Sequence, residues 1–480
     1  MRRLIPAADL VFALTGVLAV KAMGGSWVLV FALIVLAGAS SPVARRRTEL
    51  VGRWRGRRTR FANQVRTVRQ QQFHDLWRLT KIIAAVVLVW NLVSFASYVG
   101  HDNGDTFSER VATWGRDNHF GGVIDLLEAH LYSTPPSKAP ARQLALSTPG
   151  VRRPTSAPSP AAAPSSAAAA AAAVPAPASP ASPASSGTVP NANPPIVAPV
   201  PLTPLFAPAL PGEGQWAPIA RAGGQDAMWA TSIRPLASAG GVVASMVVID
   251  QTHLRAGLFN GGEQPGGTWK RGNRVPTSLQ PALLAAMNGG FRFEHIKGGY
   301  KTEGVTVKPL RSGDATLAIG TDGRIAVGQL GRDLFDDGSW ISLRQNLVLI
   351  VDRGQSQVQR GIDQGVWWGA DYGNKVYVPR SAVCELADGR IAYTLVGNVD
   401  ATQLAESLIG LGCVKAIQMD INGTWPVFFT FTTATDGTVT SHFLDRRMGG
   451  NPSRYLTGST KEFFGFFDAG LVPAGSVLDS

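Results

Sequence analysis

Cysteine is nearly missing from this chain, at two residues in 480. A scaffold built on a framework of disulfides is therefore excluded. Histidine is scarce too, and His253, His295 and His442 in the C-terminal half lack metal-ligand spacing, so a structural zinc is not expected. The 53 glycines follow no three-residue period, which excludes a collagenous chain. Charged residues make up only 16% and are unevenly placed. Residues 1–215 carry 21 Lys/Arg against 10 Asp/Glu, whereas residues 216–480 carry 24 against 23. The net charge of +12 thus belongs to the N-terminal half, and segment 45–81 alone holds twelve cations and two acids. Those cations sit between two apolar stretches rather than over a folded surface, so no nucleic-acid partner is expected. Standard catalytic signatures are absent: no Gly-x-Ser-x-Gly elbow, no His-Glu-x-x-His, no phosphate-cradling Gly-x-x-x-x-Gly-Lys and no dinucleotide fingerprint after a strand.

Long apolar runs are present, and they lie at the N-terminal end. Residues 7–43 are apolar apart from Asp9 and Lys21, too long for one span of about 20 residues. A second run, 82–99, carries one polar residue, Asn91. Three spans at 7–23, 26–43 and 82–99 are expected, because that parity keeps the basic loop 44–81 in the cytoplasm, as the positive-inside bias requires. Residues 1–100 then form a multi-pass plasma-membrane anchor in contact with lipid, and everything after Gly100 lies outside. A cleaved signal peptide is the rival for the first run. It fits less well, since Ala37-Gly38-Ala39 leads only into more arginines. Residues 101–132 read as a juxtamembrane helical segment. Residues 133–215 are rich in Ala, Pro and Ser, with seven consecutive alanines at Ala167–Ala173, and cannot bury enough apolar area to order themselves. They are expected to be a disordered linker acting as a stalk, partly polyproline II.

From Trp216 onward the composition is that of a globular domain large enough for its own core. Short β-branched runs separated by turns such as Thr321-Asp322-Gly323 predict many strands. Helices are expected only at Pro281–Ala286 and Ala401–Leu411, the latter with Asp400 at its N-cap and Gly412 just past its end. The fold class is α+β: N-terminal transmembrane helices, a disordered stalk and a C-terminal mixed β-sheet domain with few helices. Cys384 and Cys413 fall in two expected strands and are either disulfide-bonded or two buried thiols. The strand Cys413–Met419 follows the capped helix directly and stops at Asp420-Ile421-Asn422-Gly423.

The order of Asn288-Gly289-Gly290-Phe291, Gly304, Arg380-Ser381-Ala382 and the run from Leu411 to Asp420 resembles the phosphodiester glycosidase family. Ala112–Asp117, Gly298-Gly299-Tyr300, Arg344–Leu347 and Asp420-Ile421-Asn422 are similar in particular to membrane-anchored actinobacterial members. The resemblance covers about residues 216–470. It implies an extracytoplasmic hydrolase acting on sugar-1-phosphodiesters of cell-envelope glycans, with no cofactor; a divalent ion is conceivable in an acidic cleft, but no ligand spacing indicates one. Where the family has three glycines after the Asp, this chain has Ile421, Asn422 and Gly423. A non-catalytic glycan-binding module with a degenerate site is therefore the alternative.

Cleavage at an anomeric carbon bound to phosphate needs cations and N–H donors around the phosphate and one carboxylate near the carbon, because phosphate already departs as a stable anion. On this reading Asp420 is the nucleophile or base, Arg380 the phosphate clamp, and Asn288 a polar ligand-facing group. Gly289, Gly290, Phe291, Arg344, Asn346, Asn422, Gly423 and Trp425 are expected to line the substrate cleft, with Glu303 and Asp352 as reserve carboxylates.

Overall fold

The computed structural model describes residues 58–100, scattered positions between 107 and 120, and residues 134–146, 196–369, 377–421 and 424–479, with side chains from residue 74 onward. The expected spans 7–23 and 26–43, the linker core 147–195 and the pair Asn422–Gly423 lie outside the described residues.

The chain divides into two compact units. In the first, helix α1 covers Arg58–Gly100 without a break. The segment expected as a basic loop is therefore helical from Arg58, and the apolar run 82–99 is the C-terminal part of the same helix. Its stretch His74–Gly100 is long and apolar enough to cross a membrane, and is the one such stretch among the described residues. Large apolar side chains there, Val86, Trp90 and Val93 among them, are left exposed by the protein. Asn91 satisfies its amide within the helix by donating to Val87 O at 2.7 Å. Close to the helix end, Trp114 donates to Ser94 Oγ at 3.1 Å and meets Phe95 edge-on.

The second unit is mostly β. Its strands run β1 (Ala217–Ala222), β2 (Gln225–Ile233), β3 (Ala244–Ile249), β4 (Leu254–Phe259), β5 (Leu283–Asn288) and β6 (Tyr300–Thr302). They continue with β7 (Val305–Lys308), β8 (Ala315–Gly320), β9 (Ile325–Gln329), β10 (Trp340–Gln345), β11 (Val351–Asp352) and β12 (Gln355–Ser356). After the short helix α2 (Val358–Asp363) come β13 (Val378–Leu386), β14 (Ile391–Val399), helix α3 (Ala401–Gly410) and β15 (Cys413–Ile421). The chain closes with β16 (Phe428–Thr433), β17 (Val439–Phe443), the single turn α4 (Arg454–Thr457) and β18 (Phe463–Asp468).

Three sheets result, ordered β1-β2-β3-β14-β13-β15-β11-β12, β7-β6-β10-β8-β9 and β17-β16-β5-β18-β4. The expectation of a mixed sheet is corrected: every pairing between these strands is antiparallel. Tight turns join many neighbours, such as β13 and β14 through Asp388-Gly389, and such short links permit only antiparallel pairing. The helical crossover β14–α3–β15 leaves β13 between its two strands.

Helix α3 forms as its caps require. Asp400 accepts from Gln403 N at 2.8 Å while the Gln403 side chain returns to Asp400 N, and Gly412 takes φ +91° just beyond the end. Leu404 and Leu408 are buried against the long sheet. The helix expected at Pro281–Ala286 is corrected: a 3-10 turn covers Thr277–Ala282, and Leu283–Asn288 is strand β5. Its residues are good helix formers, but β5 is held between β16 and β18 with five of its six residues buried, and burial overrides propensity. Cys384 and Cys413 form a disulfide across β13 and β15.

Candidate active site

Two strand ends and the start of a third gather the polar groups that chemistry would need. β5 ends at Asn288, β15 carries Asp420 near its end, and Lys461-Glu462 immediately precede β18. The Asp420 carboxylate is paired with the Lys461 ammonium, and both side chains are almost entirely buried. Its other oxygen accepts from Ile421 N at 3.1 Å. Burial pushes the Asp420 carboxyl above its usual range, and the Lys461 charge opposes that shift. The Lys461 ammonium also lies 4.7 Å from the centre of the Trp425 ring, with the Arg454 guanidinium 5.7 Å from it. Trp425, expected to line the substrate cleft, thus carries two cations on its ring.

Asn288 is a hub rather than an exposed ligand. Its carbonyl oxygen accepts from Tyr393 OH and Val427 N, both at 3.1 Å, and its amide donates to Ser381 Oγ at 3.1 Å. Ser381 Oγ in turn donates to Asp420 O at 2.7 Å. Asn288 therefore reaches Asp420 through one hydroxyl and locks the backbone that presents the carboxylate.

The glycines after Asn288 serve a close approach. A Cβ on Gly289 would lie 2.3 Å from Glu462 Oε1, and one on Gly290 would lie 3.1 Å from Arg344 Cζ. Glu462 Oε1 accepts from Gly290 N at 2.9 Å and from Arg344 Nε at 2.7 Å, in a pair wholly removed from solvent. The second oxygen of Glu462 is buried without a hydrogen-bond partner among the described residues. Arg344 also donates to Gln345 O and to Phe291 O. Asn346 bridges Phe291 N, at 3.2 Å, and Gln418 O, at 2.7 Å. Arg344 and Asn346 thus brace the turn from behind instead of lining an open cleft, since neither has exposed surface. Phe291 packs with Ile296, Val378 and Ile421 in a small apolar cluster, and that packing accounts for an isoleucine after Asp420.

The phosphate-clamp role expected of Arg380 is corrected. Arg380 is fully buried and donates to Val399 O at 2.8 Å and Trp368 O at 2.7 Å. Desolvation lowers its pKa to about 10. Alternation along β13 sends Ser381 towards Asn288 and Asp420, and so sends Arg380 to the other face, against Trp368. The reserve carboxylates are elsewhere: Glu303 accepts from Arg271 N at 2.7 Å, and Asp352 pairs with Arg332 at 2.7 Å. Lys461 and Glu462 were not expected from the sequence. Their signal is the aromatic run Phe463–Phe467 behind them, a buried strand entered through two charged residues. A cavity of about 570 Å³, lined by residues such as Gln143, Val243, Asn398 and Arg446, lies apart from this cluster and contains none of it. Among the described residues no three His, Cys, Asp or Glu side chains gather as metal ligands.

Residues 282–420 match the family model described as phosphodiester glycosidase. The chain carries a phosphodiester glycosidase domain. The match begins at the residue before β5 and ends on Asp420, so Lys461 and Glu462 lie beyond it. No curated protein is matched. Among solved structures, the auto-inhibited catalytic domain of zebrafish N-acetylglucosamine-1-phosphodiester alpha-N-acetylglucosaminidase is similar at 17% identity and TM-score 0.35, covering 52% of this chain and 83% of that one. A hypothetical protein from Synechocystis is similar at 10% identity and TM-score 0.34, covering 52% of this chain and 64% of its own. An exported protein from Burkholderia pseudomallei K96243 is similar at 12% identity and TM-score 0.27, covering 49% and 75%.

Proposed function

We propose that the glycosidase domain hydrolyses sugar-1-phosphodiester linkages of cell-envelope glycans, outside the plasma membrane to which the chain is anchored. The buried Asp420–Lys461 pair carries this reading. Asp420 provides the carboxylate near the anomeric carbon, as nucleophile or as base for water. A bond forms from oxygen to that carbon, the carbon–oxygen bond to phosphate breaks, and its electron pair leaves on the phosphate oxygen. Lys461 supplies the positive charge for that departing anion, the part first assigned to Arg380. Asn288, through Ser381, is a positioning residue for Asp420.

The extracytoplasmic placement draws support from the Cys384–Cys413 disulfide, which suits an oxidising compartment. It also draws on the apolar helix stretch His74–Gly100. Further spans at 7–23 and 26–43, with the cations of segment 45–81 beside anionic lipid, complete the multi-pass reading. The binding-module alternative is favoured by one observation: Asp420 is 7% exposed and already neutralised by Lys461.

Incubating the detergent-solubilised chain with an N-acetylglucosamine-1-phosphodiester in heavy-oxygen water separates these readings. Release of sugar with the label on its anomeric oxygen is expected. Label on phosphate would replace the glycosidase reading with phosphodiester cleavage at phosphorus, and saturable glycan binding without release would replace it with the binding module.

A further inference from the structure

The chain joins the glycosidase domain before it enters the Ala/Pro/Ser segment. Within residues 134–146, Ser137 O accepts from Gly241 N at 2.9 Å, and Ala141 N donates to Gly240 O at 2.8 Å. Further on, Ala145 N donates to Ser232 Oγ at 3.4 Å and Ala145 O accepts from Arg446 N at 3.0 Å. Leu146 then bridges Asp445 in antiparallel fashion. The receiving surface is shaped for this strap. A Cβ on Gly241 would lie 2.8 Å from Ser137 O, and one on Gly240 would lie 3.0 Å from the Pro140 Cα. Ala145 is 2% exposed beneath it.

Beyond the Ala/Pro/Ser segment the chain docks on the same domain again. Ile196 N donates to Gln225 Oε1 at 3.3 Å, and Val197 O accepts from Arg390 at 3.0 Å. Leu202 N donates to Gly214 O at 2.9 Å, and the Trp216 indole to Val200 O at 2.9 Å. Ser232 and Gln225 both belong to β2, seven residues apart. The two docking points are therefore about 23 Å apart, at about 3.3 Å per residue.

We infer that the glycosidase domain begins at strap 134–146, before the Ala/Pro/Ser segment, so that this segment is not its link to the membrane. Proteolysis of the Ala/Pro/Ser segment then does not release the domain. None of this depends on the hydrolytic reading.

The test uses the full chain in its native membranes, with a protease recognition sequence placed within residues 167–173 and the double substitution Ser137→Cys/Gly241→Cys. The Cβ of residue 241 would lie 2.9 Å from Ser137 Cβ, close enough for a disulfide after a shift of about half an ångström. After complete cleavage, a non-reducing gel should show one species of full mass that splits into two only with reductant. Two fragments without reductant would overturn the inference and restore the stalk. Should the double variant fail to accumulate, the cleaved chain carrying only the protease site decides: the domain stays in the salt-washed membrane pellet if the strap holds it, and appears in the supernatant if it does not.

Discussion

Removing the Lys461 ammonium tests the electrostatics of the site most sharply. In Lys461→Met the Asp420 carboxylate keeps its burial and loses its partner. Breaking a buried pair from one side costs about 3–5 kcal/mol, because a charge is left uncompensated. For a domain of this size that corresponds to a fall in Tm on the order of 10 °C. The loss is pH-dependent, and its sign follows from Asp420. Burial already raises the folded-state pKa of this carboxyl above its unfolded value near 3.9, with Lys461 pulling the other way. Without Lys461 it rises further. A raised carboxyl contributes stability fully below the unfolded pKa and loses it as pH rises through the folded pKa. The destabilisation by Lys461→Met should therefore be larger near neutrality than in acid, where Asp420 takes up a proton. Thermal unfolding followed by tryptophan fluorescence at about pH 7.5 and about pH 4.5 measures both. An equal loss at the two pH values would refute the reasoning, since the cost would then come from lost packing and not from a stranded charge.

Three other outcomes follow from the same geometry. Gly289→Ala should destabilise by about 1–3 kcal/mol, because its Cβ would fall 2.3 Å from Glu462 Oε1, while Gly290→Ala, facing a softer contact, should cost less; denaturant titration of the pair checks the order. Arg380→Met should lower stability by about 2–4 kcal/mol, as the carbonyls of Val399 and Trp368 lose their donor, yet leave activity per folded molecule near wild type. A selective collapse of activity in that variant would return Arg380 to the site. Replacing both Cys384 and Cys413 by alanine opens a loop with a sequence separation of 29 and should cost roughly 3–4 kcal/mol, read as a lower melting temperature.

Much of the framework is legible in the sequence where local physics and the fold agree. Asp400, Gln403 and Gly412 mark both ends of helix α3 because capping is a property of a few adjacent residues. β15 and the position of Asp420 at its end follow for the same reason. The reading fails where distant contacts decide. Leu283–Met287 has helical propensity and becomes a strand because two neighbours flank it. Leu347 belongs to a β-branched run, yet it takes φ +58° two residues beyond β10. Arg380 and Ser381 are adjacent, and only the register of β13 against β15 decides which of them faces Asp420. Lys461 lies 41 residues beyond its partner, past the segment 282–420 that the family model matches.

The central claim is that the Asp420 carboxylate, held beside Lys461, drives departure of phosphate from an anomeric carbon. The most direct measurement is sugar release from a sugar-1-phosphodiester by Asp420→Asn, compared with the unaltered chain at equal folded concentration. A rate at least about 100-fold lower is the result the account predicts. An unchanged rate would contradict it.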